Sequence, residues 1–316
     1  MPLDHFISQV HLRSFYSPEL SDRQMYGFRK SDGLIFPCQS RDVCRLENGS
    51  TNEYLLHDRS IEEFLKTIEP QYNQAVTELK TGRPSRNAIY VVAGFASYVT
   101  SCSPTAMRLG ADPLRSSVKA TAKILDRQGK ISRAPEELGQ RSTSNLIDSG
   151  EVLIDIDEKY LQAIGITQIL DRLGIWANSA WDLIHNEHQA NPFFTSDFAL
   201  AIEPSDDPRI LNRLVPLTPD FAIRIRPSFN AKEHRKDFEF RRFRPRMVSA
   251  RHKEVRNINE SIARCAENLI FFRDRQNWVE PFLCKNKKYW IEPHTIEFPV
   301  ERGFLNVSTM RIALKS

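Results

Sequence analysis

A chain of 316 residues with 41% hydrophobic and 27% charged residues has enough apolar material for a large buried core, which excludes a disordered or fibrous protein. The formal net charge is +4, and no apolar run approaches the roughly 20 residues that a bilayer-spanning helix needs. Cys38, Cys44, Cys102, Cys265 and Cys284 are odd in number and lack CxxC spacing, which fits a reducing cytoplasm better than a disulfide framework or a zinc site.

In chain order, Pro2, Asp4, His5, Gln9 and Arg13 interrupt any signal-like apolar stretch, so a cytoplasmic, non-membrane protein is expected. Asp4 to Tyr16 has helical spacing, with Asp4 placed to cap and Ser17-Pro18 placed to stop it. Leu3, Phe6, Ile7 and Val10 make its apolar stripe, and His5, Gln9 and Arg13 recur every fourth residue as one polar line beside it. Gly33 to Glu47 reads as two small strands or a packed loop. A helix opens at Asp58 or Ser60 and carries Ile61, Phe64, Leu65 and Ile68; Pro70 interrupts it, and another through Ala75, Val76 and Leu79 stops at Gly82. Ala88 to Met107 is apolar enough for a central core helix, broken at Ser103-Pro104.

Gln128 to Ser149 has the polar composition of a mobile insertion, open to proteolysis. Lys159 to Glu187 predicts one long helix with a weak point at Gly174. From Phe194 to Ile202 apolar and small or polar residues alternate as in a strand, and Phe221, Ile223 and Ile225 predict its partner. Arg251 to Glu267 returns to helix, and the tail from Tyr289 to Leu314 predicts two or three strands around Arg302-Gly303. Helices first and strands later predict an α+β fold, an N-terminal helical layer packed on a small, mainly antiparallel C-terminal sheet. One composite domain over residues 1–316 is expected, mainly helical over 1–190 and strand-rich over 191–316, with one helix near 251–267.

The opening block HFISQVHLRSF, with His5, Phe6, Gln9, Leu12, Arg13 and Phe15, resembles the signature HFxPQxxLRxF of a bacterial family known only as a domain of unknown function. The stretch Phe193-Phe194-Thr195-Ser196-Asp197 resembles that family's FxTSD strand, Pro216-Leu217-Thr218-Pro219 its PLTP turn, and Asn257 with Asn259 its late asparagine helix. The resemblance departs at Ser8, where the family has proline, and at Phe198, where it has an Asn-Pro pair. It implies a set of shared residues but no reaction.

Taken as chemistry, His5, Gln9, Arg13, Asp197 and Asn257 form the candidate catalytic set. Histidine supplies a general acid or base near neutral pH, Asp197 an orienting carboxylate, and Arg13 an anion holder. The same residues equally suit a structural clamp, with Arg13 paired to Asp197 and His5 and Gln9 capping backbone groups. His185, Glu187 and His188 are the nearest approach to a metal cluster, but HExxH spacing is absent, and no metal or cofactor is expected. No GxGxxG, GxxxxGK[ST] or GxSxG occurs.

Charge is unevenly spread. From Arg224 to Arg256 twelve Lys and Arg face four acids, a local charge of +8 that leaves −4 for the rest. Arg235, Lys236, Arg241, Arg242, Arg244 and Arg246 interleave with Phe238, Phe240 and Phe243, a mixture suited to phosphates and stacked bases of RNA or single-stranded DNA. The leading expectation is a nucleic-acid-binding protein, extending to a metal-independent RNase or a toxin or defence effector. The competing ones are a noncatalytic module that docks an acidic protein, with Phe238, Phe240 and Met247 turned to the core, and an enzyme on a phosphorylated or nucleotide substrate held by Arg13 and Arg108.

Overall fold

The chain folds around one helix that is apolar on every side. The computed structural model describes residues 3–21, 23–228, 236–300 and 303–315. In it, α4 (Arg86–Cys102) buries almost every side chain from Ala88 to Cys102, as expected of a helix without a polar face. The preceding helices are α1 (Gln9–Arg13), α2 (Ser60–Ile68) and α3 (Tyr72–Lys80), and α2 and α3 pack on α4 with Ile61, Leu65, Ile68, Ala75, Val76 and Leu79 buried. Ser103-Pro104 ends α4 as the sequence predicts and starts α5 (Pro104–Arg127), with the Ser103 hydroxyl accepting the Ala106 amide at 3.2 Å. After α6 (Thr143–Asp148), α7 (Glu158–Thr167) and α8 (Ile169–Ala177) complete the layer around α4.

Four sheets are present among the described residues. β5 (Ala180–His185) lies between β9 (Phe221–Arg226) and β10 (Arg244–Ser249) in a five-stranded sheet of order β10-β5-β9-β8-β7, with β7 at Ala201–Pro204 and β8 at Leu211–Thr218. Only the β10–β5 pair in it is parallel. A four-stranded antiparallel sheet has the order β3-β2-β11-β6, from β2 (Met25–Arg29), β3 (Ile35–Cys38), β6 (Thr195–Ser196) and β11 (Leu269–Phe272). β1 (Leu3–His5) pairs with β4 (Arg45–Glu47), and β12 (Tyr289–Val300) with β13 (Gly303–Leu314). The remaining helices are α9 (His252–Cys265) and α10 (Val279–Asn286).

The fold is α+β as expected, although two strands from the first forty residues enter a sheet with β6 and with β11 from the last third. Several expectations need correction. Leu3–His5 is a strand and the first helix begins only at Gln9, because Phe6 and the residues before it are tied to the strand-forming stretch near Cys44. The long helix expected over Lys159 to Glu187 is α7, α8 and then β5. The alternating stretch Phe194 to Ile202 is not one strand but β6 and β7 in different sheets, turned apart where Ala199 takes a left-handed φ of 51°. Within Gln128 to Ser149, α6 docks on α5 through buried Leu146 and Ile147.

The α4–α7 crossing is set by Gly165, where a β-carbon would lie 2.5 Å from the Ser101 carbonyl oxygen. Gly to Ala within a helix normally gains about 1 kcal/mol, so the sign here is diagnostic. Gly165→Ala is expected to lose about 1–3 kcal/mol of stability through overpacking against rigid backbone, measured by urea unfolding; a stabilised variant would contradict so close a crossing.

Candidate functional site

The sequence's polar line survives, although its helix does not. His5 closes β1 and Gln9 and Arg13 stand on α1, yet the Gln9 amide still reaches His5 Nδ1 at 3.5 Å and Arg13 Nη2 donates to Gln9 Oε1 at 3.1 Å. Ser40 Oγ donates to the same Gln9 oxygen at 3.3 Å, and Tyr98 Oη donates to the His5 carbonyl at 2.8 Å. The three side chains line an open groove of about 690 Å³ with Asp4, Lys66 and Glu69. His5 is half-buried, its Nε2 has no hydrogen-bond partner, and burial draws its pKa down while the nearby Arg41 and Ser40 carbonyls partly oppose this.

Asp197 is elsewhere in role and environment. It is buried, Oδ1 accepts the Glu267 amide at 2.9 Å, and Oδ2 accepts the Asn268 and Leu269 amides at 2.7 and 2.8 Å. Burial pushes its carboxyl up to about 6, against the pull of the three N–H donors. With those donors in place Asp197 is a clamp on the α9–β11 turn, and Arg13 bonds to Gln9 rather than to it. Asn257 is also apart: it is exposed on α9, whereas Asn259 is sealed, its Oδ1 accepting the Phe194 amide and its Nδ2 donating to the Pro192 carbonyl, both at 2.9 Å. Arg108 is engaged by a two-pronged pair with Glu267 and lies 4.3 Å over the Trp290 ring.

Two buried polar residues carry structure that sequence reasoning missed. Lys30 Nζ donates to the carbonyls of Ala263 (3.1 Å), Ala266 (2.7 Å) and Tyr289 (2.6 Å), closing the C-terminal end of α9, and burial lowers its pKa to about 8. His11 lies among Phe15, Tyr72 and Phe95, with Nδ1 2.7 Å from Tyr72 Oη and Nε2 2.8 Å from Thr195 Oγ1. Burial lowers its pKa to about 3, so it is neutral in the fold. His11 sits beside Leu12 and near Phe15 in sequence, and that apolar company was the available signal; nothing local marks Lys30. Among the described residues no three His, Cys, Asp or Glu side chains converge to hold a metal; His185 packs on Phe221 instead.

The basic segment is ordered by strand register. Arg246, Asp182 and Arg224 form one rung across β10, β5 and β9, and Arg244, Ala180 and Arg226 form the next. Cross-strand partners share a face, so four arginines flank a single carboxylate. Asp182, nearly inaccessible, accepts from Arg246 Nε at 2.9 Å, from Arg224 Nη1 at 3.3 Å and from Arg226 Nη2. Glu203 and Glu254 bind the Arg224 side of the cluster. Lys236, Arg241, Arg242 and Arg244 are exposed, and among the described residues none of them is in an ion pair. Arg235 lies outside the described residues. Phe240 is buried and Phe243 packs edge-on against Trp181 at 5.2 Å, whereas Phe238 and Met247 remain exposed.

Among the described residues no helix is long and apolar enough to cross a membrane. The family model described as Protein of unknown function (DUF4238) matches residues 4–276. No curated protein and no solved structure matches the chain.

Two stability measurements separate clamp from groove. Asp197→Ala leaves three partly buried amides without their acceptor and is expected to cost about 3 kcal/mol, whereas His5→Ala, which gives up one long contact, should stay within about 1 kcal/mol of wild type. Urea midpoints in the reverse order would exchange the two roles. His11 sets an acid limit. The unfolded chain takes up a proton near pH 6.5 that folded His11 refuses until about 3, so stability falls as pH drops through that window. At pH 5 this amounts to about 2 kcal/mol. His11→Gln should lose that much less than wild type between pH 7 and 5 in paired urea titrations, a comparison that cancels the opposite contribution of Asp197; equal losses would mean that folded His11 titrates normally.

Proposed function

The chain belongs to the DUF4238 family, and we propose that it binds single-stranded nucleic acid through the exposed basic face of β9, β5 and β10 and the loop that precedes β10. The observation that carries this reading is the two-rung arrangement in which Arg224, Arg226, Arg244 and Arg246 surround Asp182, with Lys236, Arg241 and Arg242 exposed beside them. Asp182 fixes three guanidinium groups, and with Glu203 and Glu254 both paired to Arg224 the four arginines keep a net charge of +1, so the rungs are preorganised and the cationic donors left over are those of Arg226, Arg244 and Arg246. Arg226 and Arg246 are held from one side by Asp182 yet stay 41% and 61% exposed, which leaves donors for phosphate oxygens.

Stacking contributes less than the sequence suggests. Phe240 and Phe243 are committed to the interior, and Phe238, 40% exposed, is the ring of that segment open to a base. Affinity therefore rests mainly on phosphate contacts, with weak sequence preference and strong salt dependence. No strand-cleavage step belongs to the reading, because Asp197, the expected partner of His5, has both oxygens occupied by backbone amides.

Fluorescence anisotropy with labelled RNA and DNA single strands tests the reading. Binding is expected to weaken with salt at about 0.7 logarithmic units per phosphate contact, with the strand recovered intact. Replacing Arg241, Arg242 and Arg244 by Glu should weaken binding by about tenfold or more and flatten the salt slope. Absence of binding at low salt, or a variant indistinguishable from wild type, would remove the proposal; binding of an acidic protein in its place would assign the face to protein docking.

A further inference from the structure

On the side of α9 that faces α10 lies a cavity of about 540 Å³ unlike the other grooves, because its walls are mainly apolar and aromatic. Trp278, Pro281 and Phe282 supply that surface, and His252, Arg256 and Lys285 stand in the same lining without an acid among them. The Trp278 indole is fixed in place: it stacks on Phe194 at 5.6 Å with 12° between the planes, meets Phe282 edge-on at 5.6 Å, and donates from Nε1 to the Ala190 carbonyl at 3.3 Å. Arg256 and Lys285 are exposed and have no ion-pair partner among the described residues.

The remaining lining residue is Asn191, which is 5% exposed and whose Oδ1 has no hydrogen-bond partner. A buried amide oxygen left unpaired costs about 1–3 kcal/mol, and such an atom beside a cavity is relieved by a donor that enters it. The cavity thus combines a rigid aromatic surface, an unfilled hydrogen-bond acceptor and two unpaired cations. From these we infer that it binds a nucleoside monophosphate, with the base against Trp278, an N–H or amino group of the base on Asn191 Oδ1 after a small turn of the amide, and the phosphate on Arg256 and Lys285. An apolar molecule leaves both the cations and the amide unused, and a bare phosphate leaves the aromatic wall unused. Trp278, Pro281, Phe282 and Lys285, four of the seven lining residues, fall beyond residue 276, where the family match ends. The inference is independent of the basic sheet face and stands if that face binds nothing.

Isothermal titration of the full chain with AMP, GMP, CMP and UMP, beside ribose 5-phosphate and inorganic phosphate, provides the test. At least one mononucleotide is expected to bind one site per chain, about tenfold or more tighter than ribose 5-phosphate, since base stacking contributes about 1–3 kcal/mol. Arg256→Ala with Lys285→Ala should weaken it by about tenfold or more at unchanged melting temperature, both side chains being exposed. Trp278→Leu should abolish it, but that ring also supports the core, so the exposed pair carries the decision. Replacing Arg241, Arg242 and Arg244 by Glu should leave mononucleotide binding unaltered. The inference is overturned by no binding at millimolar concentrations, by equal binding of ribose 5-phosphate, by binding that survives loss of Arg256 and Lys285, or by binding lost with the sheet-face arginines.

Discussion

The turn between α9 and β11 is held by two buried charges of opposite sign, and the joining of early and late strands depends on it. Asp197 gathers the amides of Glu267, Asn268 and Leu269. Lys30 gathers carbonyls from Ala263 and Ala266 just before them, and the Tyr289 carbonyl at the start of β12. A helix end leaves carbonyls unpaired and the following turn leaves amides unpaired, so one cation and one anion meet complementary needs within a few residues. Isolated charges at such depth would be costly; here each is ligated by backbone, and Asp197 raises the pKa of Lys30 against the pull of burial. Because Lys30 directly follows β2 and Asp197 directly follows β6, the sheet β3-β2-β11-β6 closes around that turn.

This constraint divides the signature residues into two kinds. Thr195 meets His11, Ser196 Oγ accepts the Phe198 amide, Asp197 holds the turn, and Asn259 pins the backbone on either side of Phe193. In the later block, the Pro219 carbonyl accepts the Phe193 amide at 2.8 Å, which ties the two motifs together. These groups are consumed by the fold, and a buried network so fully satisfied has no donor or acceptor left for a substrate. His5, Gln9 and Arg13 differ because they face solvent across a groove. The opening motif therefore has an inner row, His11 with Leu12 and Phe15, that builds the core, and an outer row that does not.

What the sequence revealed follows from which forces were local. The helices α2, α3, α4 and α9 and the β12–β13 hairpin were readable because one-sided burial or turn chemistry imprints a period on neighbouring residues. β5 was read as helix because Trp181 to Ile184 are buried on both faces, and such a strand shows a continuous apolar run that merges with the helix before it. Asp197 was noticed and a clamp was one of its two readings, but with Arg13 as its partner; its actual partners are backbone amides some 70 residues away, which carry no side-chain signal. The choice between Asn257 and Asn259 was legible in principle. Val255, Ile258 and Ile262 fix the buried stripe of α9, and at 100° per residue that phase places Asn259 inside and Asn257 outside.

The two proposed binding surfaces rest on different physics, and this explains why only one had a sequence signature. Charge on the sheet face accumulates from residues close together in sequence, so counting arginines finds it, and what the fold adds is Asp182, which organises three of them from below. The cavity beside Trp278 has no such trace: Asn191, Arg256 and Lys285 come from three separate segments, and none is unusual in its own surroundings. Its character arises only when α10 lays an aromatic wall against the cationic side of α9 and leaves the Asn191 amide oxygen unpaired between them. Electrostatic attraction of the first kind tolerates many phosphate-bearing ligands and fades with salt. Shape and an unmet hydrogen bond, as in the second, discriminate among ligands and resist screening, so selectivity in this protein is better sought where α9 meets α10 than where the arginines are densest.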